Sequence, residues 1–251
     1  AMGIRGTEVA RESSDMILRD DAFTSIVAAV AQGREIFNNI RKFVVYLLSC
    51  NLSEIMVIGI ASAMDSPLPL LPLQILFLNM VTDVFPALAL GACQGHEDVM
   101  SRAPRSMKDV IVGKRQWRRV VIYSLLITIV VLGSFAIARG PLEMSATESV
   151  TVSFMVIALA QLFHVFNMAE SGSHPLKNEI TRNPYVWGAV VLCVLTLYLA
   201  VSLPSLASVL ALQLPSANAW LLIISMSLVP VVVGRLASLL RHWLSRYILF
   251  V

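Results

Sequence analysis

Apolar residues are gathered into six long runs, at roughly 43–63, 70–90, 120–138, 150–168, 187–203 and 220–240, with polar stretches between them. Each run is close to the roughly 20 residues a helix needs to cross a bilayer. Ahead of the first run, TSIVAAVAQGREIFNNIR at 24–41 places its apolar residues at helical spacing. Thr24 is expected to cap the start of this helix. The helix is expected to continue into the first run, so that 24–42 forms a stalk between a cytoplasmic part and the membrane. Within residues 1–23, ESSDMILRDD predicts a short apolar strand, MIL, followed by a polar turn. In MDSPLPL, Pro67, Pro69 and Pro72 preclude a continuous helix, so the first two runs are predicted to form a tight antiparallel hairpin.

Composition makes the membrane the solvent. The chain is 57% hydrophobic and 14% charged, with a mean hydropathy of +0.76. A soluble domain carries about 25% charged residues. The expected fold is an all-α membrane protein: a six-transmembrane-helix bundle over 43–251, a long cytoplasmic stalk helix and a short N-terminal segment. Nothing in this composition points to nucleic acid as a partner; the lipid bilayer is the partner it requires. Cys50, Cys93 and Cys193 lie in or beside apolar runs without C-x-x-C spacing and read as small apolar residues. The N-terminal segment lacks the basic-then-apolar order of a signal peptide.

Lys and Arg set an orientation. If the chain crosses at each run, 18 of the 19 basic residues fall on one side and only Arg139 on the other. Among the 18 are Arg34, Arg41 and Lys42 before the first run, and Arg102, Arg105, Lys108, Lys114, Arg115, Arg118 and Arg119 between the second and third. Lys177 and Arg182 follow the fourth, and Arg235, Arg241 and Arg246 end the sixth. Both chain ends are therefore expected in the cytoplasm.

Only two residues inside the runs are acidic, Glu54 and Asp83. An ionisable group in the membrane is expensive and needs a reason. Asn51 and Glu54 are three apart and share a helix face, as do Asn79, Thr82 and Asp83. Five oxygen-bearing side chains on adjacent helices suit a hard, partly dehydrated cation such as Ca²⁺. Pro86, three residues after Asp83, predicts a locally broken helix, the kind of break at which transporters present backbone carbonyls to ions. The alternative is a hydrogen-bond network that only pins two helices together. In the fourth run, Gln161 and Asn167 are expected to act as helix glue, with His164 at the membrane interface.

These residues carry a resemblance. The stretch AMGIRGTEVARESSDMILRDDAFTSIVAAVAQGREIFNNIRKFVVYLLSCNLSE is similar to P-type cation-transporting ATPases, calcium-pump-like, from just after their phosphorylation-domain GDGxND motif into the fifth membrane helix. LNMVTDVFPALALG resembles their sixth membrane helix, and SRAPRSMKDVIV the loop that follows. The likeness covers residues 1 to 115; beyond that the chain agrees in the number and length of spans.

The resemblance implies ATP-driven transport through a phospho-aspartate, with the ion held at mid-membrane. It assigns metal-ligand roles to Asn51 and Glu54 on the fifth helix and to Asn79, Thr82 and Asp83 on the sixth. Asn79 stands where calcium-type pumps have Asn, which favours Ca²⁺ as the transported ion. Gln161 falls where two-site calcium pumps have Glu, and is a further candidate ligand. The DKTGT motif, the GDGxND hinge, the nucleotide-binding domain and the fourth-helix ligand segment are not in the chain. No catalytic residue is expected here: ATP and Mg²⁺ would act in the full-length parent, and the N-terminal half would be the partner. Residues 1–23 would be the tail of its phosphorylation domain. Competing readings are a Na⁺/K⁺ or Mn²⁺ pump, a secondary transporter or channel, for which no internal repeat is found, and a non-catalytic assembly module.

Overall fold

The structure is a computed structural model that describes residues 1–93, 99–101, 103–104, 109–169 and 178–248, with side chains to Leu240. Arg102, Arg105, Lys108, Lys177 and the side chains of Arg241 and Arg246 lie outside the described residues. Among the described residues there is no strand. The helices are α1 (Glu8–Glu12), α2 (Thr24–Ala63), α3 (Pro72–Phe77), α4 (Val84–Gly91), α5 (Lys114–Arg139), α6 (Ala146–His164), α7 (Pro184–Ser202), α8 (Pro204–Val209) and α9 (Ala217–Ile248). Six helical stretches are long and apolar enough to cross a membrane: Thr24–Ala63, Pro72–Gly91, Lys114–Arg139, Ala146–Met168, Pro184–Ser202 and Ala217–Leu240.

The stalk and the first span are one helix. At 1.5 Å per residue, the 40 residues of α2 reach about 60 Å, twice the hydrocarbon thickness. Its start departs from expectation. Phe23 is the N-cap and Thr24 is already helical, without a side-chain cap. Asp20 serves the entry instead, accepting from the Ala22 amide at 3.1 Å and the Ser25 hydroxyl at 2.5 Å. The expected MIL strand is reduced to an isolated bridge between Met2 and Leu18. A strand needs a neighbour along its length, and this segment has only that one pairing.

Helix ends follow local chemistry. Beyond Ala63, Asp65 takes a left-handed φ of 49° and the proline-rich turn stops the helix. Pro72 opens α3 at a position where its missing N–H costs nothing. The Gln74 side chain accepts from the Leu71 amide at 3.0 Å and donates to the Leu210 carbonyl at 2.9 Å, tying this end to the segment after α8. Ser145 caps α6 and Asn183 caps α7 through their side-chain oxygens.

The bundle is centred on α6, whose span is 83% buried against 28–50% for the other five. Tyr46, Phe154, Ile157 and Leu162 fill the interior. Hydroxyls join α5 to α2: Ser124 Oγ donates to the Ser49 carbonyl at 2.9 Å, and Thr128 Oγ1 reaches the Ser53 carbonyl at 3.4 Å. Small residues and interhelical hydrogen bonds are what hold helices together where lipid removes the hydrophobic drive. Where the span helices leave the apolar zone, Lys42 of α2 pairs with Glu179 at 3.2 Å, both side chains under 10% exposed.

Candidate cation site

The second span is not a continuous α-helix. Between α3 and α4, Leu78–Thr82 forms a π turn, closed by the Asp83 amide donating to the Leu78 carbonyl at 3.1 Å. Such turns are rare and recur at functional sites. Pro86 lies in the first turn of α4 and has no N–H to offer the Thr82 carbonyl four residues back. The break expected from Pro86 is therefore present, and Asp83 sits at it.

The two carboxylates come from neighbouring helices and are both buried, Glu54 at 3% and Asp83 at 2% exposure. Glu54 is held by two amides. Its Oε2 accepts from Asn79 Nδ2 at 3.2 Å, and its Oε1 from Gln161 Nε2 at 3.1 Å. Neither oxygen of Asp83 accepts from an amide or a hydroxyl. Its polar neighbours are the Cys50 thiol, a weak donor at best, and the Glu54 carboxylate, which is close enough to act on it. Two acidic groups sharing a dehydrated place, one of them with only a thiol to donate to it, form an arrangement that a positive charge would offset.

A groove of about 680 Å³ opens on this place. Asn51, Asn79 and Asp83 line it, with Phe43, Leu47 and Leu88 as apolar walls. The five residues singled out from the sequence are thus placed unequally. Glu54 and Asn79 are bonded to each other, and Asp83 shares the groove with Asn79 and Asn51. Asn51 is exposed and its amide turns back to the Leu47 carbonyl at 2.9 Å. Thr82 is fully buried, donates to the Leu78 carbonyl at 2.8 Å, and does not line the groove. Gln161 reaches Glu54 from α6 on the other side. Among the described residues no three His, Cys, Asp or Glu gather as a metal cluster; the oxygen set is two carboxylates with amides around them.

Two members of this surround were not singled out from the sequence as polar groups. Gln161 Nε2 also reaches the Cys50 carbonyl at 3.2 Å and Ser53 Oγ at 3.3 Å. Their spacing held the signal, since Cys50 lies four residues before Glu54 and Ser53 beside it. His164 is buried inside the bundle at 0% exposure, with the Tyr46 ring at 6.1 Å between centroids and the Tyr123 ring at 4.4 Å. These aromatic neighbours replace part of the contact with water that burial of an imidazole removes.

Residues 67–240 match the family model described as "Cation transporting ATPase, C-terminus". A calcium-transporting ATPase of Bacillus subtilis is 38% identical over 232 residues, which is 92% of this chain and 26% of that protein. Calcium-transporting ATPase 1 of Bacillus cereus is 32% identical over 255 residues, 96% of this chain and 29% of that protein. The P-type sodium-transporting ATPase4 of Plasmodium falciparum is 50% identical over 117 residues, 47% of this chain and 9% of that protein. The chain thus spans between a quarter and a third of the length of the two bacterial calcium pumps. A six-span bundle broken at Asp83, the family match over most of its length and the calcium-pump likenesses agree, and this integral multi-pass membrane chain belongs to the cation-transporting ATPase family, as a calcium-pump-like C-terminal part.

Proposed function

We propose that the chain is the membrane transport half of an ATP-driven cation pump and that Ca²⁺ is its cargo, bound between the first two spans. Glu54 and Asp83 supply the charge that offsets dehydration of the ion, and Asn79 the first neutral oxygen. Asn51, whose amide lines the groove, and Thr82 would complete the set by turning their side chains. The carbonyl oxygen of Gln161 is a further candidate on the α6 side. The observation that carries this reading is the buried pair itself: two carboxylates from adjacent spans, one with no donor but a thiol, at a π turn in the helix.

ATP hydrolysis lies outside this chain, in the N-terminal half of the parent, where ATP and Mg²⁺ would act. The unbroken α2 supports a mechanical role, because a helix that carries Glu54 and extends well beyond the membrane passes any displacement of its outer end to the site. Basic residues concentrated between the second and third spans and at the last support a cytoplasmic location of both chain ends.

The likeness to a sodium-transporting ATPase over 117 residues favours a second reading, a monovalent cation at the same place. The test is ATP hydrolysis by the full-length protein against a panel of Ca²⁺, Mn²⁺, Na⁺ and K⁺, with wild type beside Asp83→Asn. Stimulation by Ca²⁺ that Asp83→Asn abolishes supports the first reading. Stimulation by Na⁺ alone supports the second, and equal ion dependence in the two proteins removes Asp83 from the site.

A further inference from the structure

The broken second span is tied to its neighbours at two levels, one inside the π turn and one at the far end of α4. Inside the turn, Asn79 donates to Glu54 of α2. At the far end, backbone amides of Ala92 and Cys93 reach the Leu88 and Leu90 carbonyls. Other carbonyls of that last turn take side-chain donors from two different helices. Asn39 Nδ2 of α2 lies 3.3 Å from the Gly91 carbonyl and 2.6 Å from the Cys93 carbonyl. Asn183 Nδ2, at the start of α7, lies 3.2 Å from both the Ala89 carbonyl and Cys93 Sγ.

The orientation of both amides is fixed by their partners. A carbonyl only accepts, and Asn39 meets two of them, so its nitrogen faces them. Asn183 Oδ1 takes the Tyr185 amide at 2.9 Å as the cap of α7, which leaves its nitrogen to the Ala89 carbonyl. The two side chains are 5% and 7% exposed. The last carbonyls of a helix need donors from outside its own ladder. A buried donor left without its acceptor costs more than the bond itself contributes, so each side of these contacts holds the other. Lys42, three residues after Asn39 on the same face of α2, widens the junction through its pair with Glu179, just ahead of α7.

Helix α4 is only eight residues long, with Asp83 as its N-cap, and it packs on both α2 and α7. The π turn and Pro86 make a joint at the Asp83 end, because the regular ladder is interrupted there. A two-turn helix hinged at one end takes its direction from whatever holds the other. We propose that Asn39 and Asn183 are positioning residues for the cation site: by anchoring the far end of α4 to α2 and α7, they set where Asp83 stands relative to Glu54. Asn39 and Glu54 belong to one unbroken helix, so this junction refers both carboxylates to the same rod. The two amides act through α4 and do not touch the cation. This inference rests on the reading of Glu54 and Asp83 as the place where the cation binds.

The test titrates ATP hydrolysis by the full-length protein with Ca²⁺ and, separately, with Na⁺. Wild type is compared with Asn39→Leu, Asn183→Ser and Asp83→Asn. Asn183→Ser keeps an oxygen to cap α7 but is too short to reach the Ala89 carbonyl. With the cation that stimulates wild type, the half-stimulating concentration is expected to rise several-fold in both asparagine variants. Their maximal rate should stay within about twofold and their unfolding midpoint within a few degrees, a split that a merely structural loss would not produce. An unchanged half-stimulating concentration in either folded variant overturns the proposal. If Asn39→Leu does not fold, Asn183→Ser decides alone. Asp83→Asn reports on the site itself. A lost response there beside unchanged asparagine variants overturns the positioning role only. An unchanged response there, or a wild type stimulated by neither cation, removes the site and the positioning role together.

Discussion

Two glycines in membrane helices should respond to the same substitution with opposite sign. In Gly234→Ala, the new Cβ would stand 2.5 Å from Asn167 Oδ1, 2.8 Å from its Cγ and 2.9 Å from its Nδ2. Real Cβ atoms do not approach so closely, so the amide must move and lose its bonds to the Pro230 carbonyl and His164 Nδ1. Two neutral hydrogen bonds are worth about 0.5–1.5 kcal/mol each, and overpacking adds about 1–3 kcal/mol. Replacing Gly by Ala inside a helix returns about 1 kcal/mol. The net is a loss of about 1–5 kcal/mol. Gly188 of α7 is the control, because a Cβ there meets nothing within 4 Å, and Gly188→Ala should stabilise by up to about 1 kcal/mol. Thermal unfolding of the full-length protein, followed by tryptophan emission or by loss of the monodisperse chromatographic peak, reads both. A loss of this size lowers the midpoint by roughly 2–20 °C at about 2–4 °C per kcal/mol. Equal midpoints for the two variants would refute the packing of Asn167 against α9.

Other perturbations have defined signs. Removing either partner of the Lys42–Glu179 pair, as Lys42→Met or Glu179→Leu, should destabilise by about 3–5 kcal/mol, whereas the double variant should be near wild type; a thermal double-mutant cycle checks this, and additive losses would contradict it. Ser124→Ala and Thr128→Val should each cost about 0.6 kcal/mol, the average for interhelical hydrogen bonds in a membrane, measured by the same midpoint. At the N-terminal segment, the Ile4 amide, followed by the amide and guanidinium of Arg5, holds the Asp21 carboxyl below the usual aspartate range. A lowered folded value gives stability that is present above the ordinary value of 3.8 and lost as pH falls through and below it. Protection of the Ile4 and Arg5 amides against hydrogen exchange, relative to their intrinsic rates, should therefore fall at acid pH, and Asp21→Asn should remove that pH dependence.

The large features were legible because they rest on sums over many residues. Six runs of apolar residues became six spans, the proline-rich turn ended α2, and Pro86 marked the break in the second span. Glu54 and Asp83 were legible because charge inside a membrane is so costly that its mere presence is informative. What depended on one local choice was not. The entry to α2 turns on whether Asp20 or Thr24 meets the first amides, and Asp20 wins. The surroundings of His164 required knowing that Tyr46 and Tyr123 from two other helices would lie beside its ring. Thr82 and Asn51 share faces with the carboxylates, yet their side chains bond to their own helices at Leu78 and Leu47. Helix periodicity gives the face, but not the competition between a distant partner and a backbone carbonyl one turn away.

Equilibrium binding of isotopic Ca²⁺ to the purified full-length protein, without ATP, tests the site most directly. Wild type should retain the isotope, and Glu54→Gln and Asp83→Asn should each release it while keeping the wild-type unfolding midpoint within a few degrees. Retention of the isotope by both folded variants would contradict a cation held between the first two spans.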